Sequence, residues 1–181
     1  MNAETEIPSL ASLEYIPYVD ENGDLPNNLQ GKIGVYAIFD GDKALQLINY
    51  SRDIYLSLKQ HLVRQNESCY WVKAQTSDRP NRTILENIRD AWIEENGAIP
   101  PGNGTDAAKW IDPIDAKLQM TPEEQAKITS PMIDEVVQAK LIKNVARRVE
   151  EEILAQLKAR GVQAEIRFNP KLKESGLLDL K

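Results

Sequence analysis

Few side chains in this sequence could do chemistry, and each has an ordinary reading beside its reactive one. Tyr36 stands between Val35 and Ile38 in an apolar run, where a phenol packs a half-buried sheet surface. Glu86 lies at helical spacing beside Asn87, Arg89 and Asp90, the pattern of a solvated helix face. Turned onto a sheet next to Tyr36, its carboxylate could hold Mg²⁺ through water, since that ion accepts sparse protein ligation. His61, the only histidine, falls late in a helix, where capping or packing suits it. Cys69, the only cysteine, allows no intrachain disulfide and no cysteine metal cage, and reads as a small packing residue. Tyr70 and Trp71 are consecutive in a strand, so they point to opposite faces and form no shared stacking platform.

The elements that must position these groups follow from periodicity and punctuation. Residues 1–32 mix apolar pairs with turn formers and read as a lead-in strand or loop. Ile33–Phe39 and Ala44–Tyr50, separated by Asp40-Gly41-Asp42, predict a hairpin. Ile54, Leu58 and Leu62 predict a helix over 53–64, with Ser51 or Asp53 as its cap. A third strand is expected over 68–74. A second amphipathic helix is marked by Ile84, Leu85, Ile88, Trp92 and Ile93 and stops at Asn96-Gly97.

The stretch from Ile99 to Thr105 cannot continue a helix, and the domain boundary is expected near residue 118. Thr121-Pro122-Glu123-Glu124 announces a short capped helix. A long helix is expected over 131–160, with Ile133, Val137, Leu141, Val145, Val149, Ile153 and Leu157 every fourth residue, and then a last strand over 162–168.

Within this order the segment from Gly34 to His61 resembles the GIY-YIG nuclease domain. Gly34-Val35-Tyr36 is similar to its first signature, and Leu47-Ile48-Asn49 falls where its second, Tyr-Ile-Gly, should lie. Ile84-Leu85-Glu86-Asn87 resembles the start of the helix that brings the family's metal-binding glutamate. Pro100-Pro101-Gly102-Asn103 resembles the turn that ends in its asparagine. The resemblance implies an α/β fold, a small three-stranded sheet flanked by helices, here over residues 33–118; the elements read beyond it form a helical C-terminal extension over 119–181 ending in a strand. It also implies catalytic positions at Tyr36, Glu86 and Asn103, with Glu86 holding a divalent metal, Mg²⁺, in an active enzyme. Leu47 in place of the second tyrosine, Asn49 in place of the glycine and Ser57 in place of the helix arginine depart from the family, and a hydroxyl cannot replace a guanidinium fork on phosphate. The function expected is therefore a degenerate GIY-YIG-like binding or interaction module without nuclease activity. The alternative is a metal-dependent endonuclease hydrolysing DNA phosphodiester bonds with Tyr36 and Glu86.

Composition bounds the partners. A net charge of -6 and a pI near 5.0 disfavour nucleic acid unless basic residues gather on one face. No apolar run is long enough to span a bilayer, and the start has no basic segment followed by an apolar core, so a cytoplasmic location without membrane contact is expected. The 131–160 helix carries Lys140, Lys143, Arg147 and Arg148 followed by Glu150-Glu151-Glu152, a pattern suited to a protein partner or a homo-oligomer.

Overall fold

The computed structural model describes residues 7–181; residues 1–6 of the expected lead-in lie outside the described residues. The chain is α/β and divides into two compact units, Met1–Ile111 and Asp112–Lys181, which part before the boundary expected at 118.

The first unit is built on an antiparallel sheet of β1 (Ile16–Pro17), β2 (Ile33–Phe39), β3 (Leu45–Ser51) and β4 (Trp71–Ser77), in the order β1-β4-β2-β3. The expected sheet had three strands. The fourth, a two-residue edge pairing Ile16 with Val72 and Pro17 with Trp71, comes from the lead-in and is too short to show a period. β2 is buried along nearly its whole length because it is central and covered on both faces. Val35, Ala37 and Phe39 pack with Ile48 against Leu85, Ile88 and Trp92 of helix α2 (Arg82–Asn96). Helix α1 (Ile54–Arg64) buries Ile54, Leu58, His61 and Leu62, and its His61 meets Tyr36 from the opposite face of β2. Asp53 caps α1 through the amide of Leu56, Asn81 caps α2 through that of Ile84, and Gly97, at φ 78°, ends α2 in the left-handed conformation. Helix α3 (Ala107–Ile111) closes the unit and buries Trp110.

The second unit pairs β5 (Ile114–Asp115) with β6 (Leu177–Leu178) and carries helices α4 (Pro122–Thr129), α5 (Glu135–Ala159) and α6 (Pro170–Lys173). Thr121 and Glu124 form the anticipated reciprocal cap of α4. Two expectations need correction here. Ser130-Pro131 does not open the long helix; Ser130 ends α4, and α5 starts only after Asp134, whose side chain accepts from the amide of Val137. The strand expected over 162–168 is absent: within that stretch only Phe168 pairs, in an isolated bridge to Leu180, and the terminal strand is Leu177–Leu178. Apolar alternation without a neighbouring strand to accept its amides does not make a strand. Among the described residues no helix is long and apolar enough to cross a membrane.

Candidate functional site

The structure does not bring Tyr36, Glu86 and Asn103 together around one opening. Tyr36 is 1% exposed and its hydroxyl lies 2.8 Å from His61 Nε2. His61 Nδ1 lies 3.0 Å from the Trp110 carbonyl oxygen, which only accepts, so Nδ1 carries the proton and Nε2 accepts from the phenol. Arg64 Nη1 donates to the same carbonyl at 2.9 Å. Burial first, then the Arg64 charge, lowers the His61 pKa to about 4, so the imidazole is neutral at pH 7. Burial likewise pushes the Tyr36 phenol well above its usual value, outweighing the lowering effect of the neighbouring Ser57 hydroxyl. Ser57 Oγ is tied in turn to Ser51 Oγ at 2.6 Å. The cluster is a closed hydrogen-bonded clasp between the sheet, α1 and α3. It holds no phenolate at neutral pH.

Asn103 grips the free edge of the sheet. Its Oδ1 accepts from the Ile48 amide at 2.8 Å and its Nδ2 donates to the Ile48 carbonyl at 2.6 Å, a two-bond substitute for a neighbouring strand. Gly102 permits that approach, since a Cβ there would stand 2.7 Å from the Gln46 carbonyl oxygen and 3.0 Å from Trp110 Cδ1.

Glu86 belongs to the α2 face of the sheet, opposite Tyr36. Its Oε1 accepts from the Tyr50 hydroxyl at 3.0 Å and from Arg82 Nε at 2.7 Å. The Arg82 bond, then the Tyr50 bond, hold its carboxyl below the ordinary range, and the same pairing raises the Arg82 pKa. The Arg89 guanidinium sits 5.4 Å from the centre of the Tyr50 ring. Beside this group opens a cleft of about 270 Å³ lined by Tyr50, Ser51, Arg52, Pro80, Arg82 and Leu85. No carboxylate lines it, and among the described residues Arg52 makes no ion pair. No cluster of three or more His, Cys, Asp or Glu side chains able to hold a metal exists among the described residues.

The cleft's residues were partly legible beforehand. Tyr50 alternates with Ile48 and so shares its face, and Arg82 stands four residues before Glu86, the spacing of a helical ion pair. What periodicity could not show was that the loop at Pro80 brings the start of α2 against the end of β3.

Cys69 has no exposed surface, and its Sγ lies 3.6 Å from the His61 carbonyl oxygen, to which it donates.

No protein-family model matches the chain. A curated relative, the bifunctional monothiol glutaredoxin-S16, chloroplastic, of Arabidopsis thaliana, is 29% identical over 133 residues, covering 70% of this chain and 44% of the relative. The chain thus spans less than half the length of the curated relative it matches. These findings correct the GIY-YIG assignment: the relative bears the name of a glutaredoxin and not of a nuclease, and no family model supplies the nuclease match. The functions drawn from that resemblance, a degenerate GIY-YIG-like module or a Tyr36/Glu86 endonuclease, are withdrawn with it.

Proposed function

We propose that this chain is a small-anion-binding module, taking a phosphate- or carboxylate-bearing ligand in the cleft between the end of β3 and the start of α2, and that it does no thiol chemistry. The observation that carries the reading is the pair of guanidinium groups, Arg52 and Arg82, on a cleft without a carboxylate in its lining. Arg82 spends only Nε on Glu86, which leaves its terminal nitrogens to donate, and Arg52 is uncommitted among the described residues. Guanidinium forks match the geometry of phosphate and carboxylate oxygens. At about 270 Å³ the cleft lies near the lower end of ligand-site volumes, which suits a small ligand.

The relative's name points to a thiol, and this chain offers one, Cys69. A thiol nucleophile needs access and a stabilised thiolate. Cys69 is sealed in the core, its Sγ donating to the His61 carbonyl oxygen, and so lacks that access. A monothiol role therefore does not fit this chain, and the word bifunctional in the relative's name leaves room for a second activity that needs no cysteine. As to compartment, a lone sealed thiol suits a reducing aqueous one, whether the cytoplasm or the chloroplast of the relative's name.

The test is a titration of the full chain with inorganic phosphate, following the arginine Nε–H resonances. Saturable shifts at Arg52 and Arg82 that vanish in Arg52→Ala are expected. Shifts that are absent, or that persist in the Arg52→Ala/Arg82→Ala double variant, would sink the proposal.

A further inference from the structure

Helix α5 spans 25 residues, and one side of it is buried by Val145, Ala146, Val149 and Leu157. On the other side Val137, Lys140, Asn144, Arg147, Glu151 and Leu154 succeed one another in steps of three and four residues, and all six are exposed. Steps alternating between three and four are the heptad spacing with which one helix meets another along a seam. Two apolar side chains, Val137 at 42% and Leu154 at 37% exposure, mark its ends.

The charges on α5 fall into two groups. Arg148 is satisfied inside the unit, bonding Glu124 and Glu152 at 2.7 Å each, and Glu150 is held by Lys173 at 2.6 Å. Among the described residues Lys140, Arg147 and Glu151 make no ion pair. Arg147 and Glu151 stand four apart but in the less favourable order for a helix, cation first, and they do not bond.

We infer that this stripe is the surface through which two copies of the chain pair, helix against antiparallel helix. Read backwards against itself, the stripe sets Val137 against Leu154, Lys140 against Glu151 and Asn144 against Arg147, and the two-fold relation repeats each layer. No layer then opposes like charges. Parallel pairing would stack Lys140 on Lys140, Arg147 on Arg147 and Glu151 on Glu151, so the charges themselves choose the antiparallel orientation. With polar groups in four of its six layers, the seam associates weakly and is sensitive to salt.

Sedimentation equilibrium of the full chain tests this. A reversible monomer–dimer equilibrium is expected, weakened on going from about 50 mM to about 500 mM salt. Lys140→Glu sets like charges against each other in two symmetry-related layers and should weaken dimerisation roughly tenfold or more. The charge-swapped double variant Lys140→Glu/Glu151→Lys should restore it to within about threefold. Because all three positions of charge are exposed, the thermal melt of each variant should match the parent, which separates lost pairing from lost folding. A chain that stays monomeric at millimolar concentration, a dimer indifferent to Lys140→Glu, or a double variant without rescue overturns the inference.

Discussion

His61 is a histidine kept neutral by its surroundings, and that has a calculable effect on stability. Its pKa is about 4 in the folded chain against an ordinary 6.5, so below pH 6.5 the unfolded chain binds a proton that the folded chain refuses. Stability attributable to this group is whole above pH 6.5 and declines as pH falls from 6.5 towards 4, by on the order of 3 kcal/mol across that window. Urea unfolding at a series of pH values should show the decline, and His61→Gln, which does not titrate there, should flatten it. Tyr36 is coupled to the same group. Tyr36→Phe removes the donor to a buried ring nitrogen and should cost about 1–3 kcal/mol at pH 7, read from the urea midpoint.

At the scale of elements, the turn over Pro100–Asn103 protects the exposed edge of β3 by lending it a side-chain amide in place of a strand. Asn103→Ala leaves both main-chain groups of Ile48 without that partner and should destabilise the chain by about 2 kcal/mol, with faster amide exchange at Ile48. Gly102→Ala should loosen the same contact, since its methyl group meets the Gln46 carbonyl at 2.7 Å and the turn must retreat. The elements that local chemistry determines were legible in the sequence: the caps at Asp53, Thr121 and Gly97, and the hairpin of β2 and β3. Elements made by distant partners were not. Ile16–Pro17 becomes a strand only because Trp71 and Val72 accept it, and Leu177–Leu178 only because Ile114 and Asp115 do. The alternation from Val162 onward was misleading for the same reason, as a period of two has no consequence without a strand alongside. The candidate cleft shares this property: its residue types were visible, but the meeting of β3 with the start of α2 is a tertiary fact.

For the whole molecule, the excess of acid over base is compatible with anion binding because the binding groups are segregated rather than averaged. The net charge of -6 is a sum over the chain, whereas the cleft is lined by two guanidinium groups, Arg82 with its Nε paired to the neighbouring Glu86 and Arg52 without an ion pair among the described residues, so its local balance is positive. Trp71, Trp92 and Trp110 all belong to the first unit, so tryptophan emission reports the unit that holds the cleft. Phosphate at about 100 times its dissociation constant should stabilise that unit by about 2.7 kcal/mol in emission-monitored unfolding, and Arg52→Ala should abolish the gain. The seclusion of Cys69 gives the molecule a built-in clock. With a single thiol that the fold conceals completely, any thiol-reactive dye in excess can couple only during an opening, so the rate of coupling counts how often the core beside His61 parts and recloses.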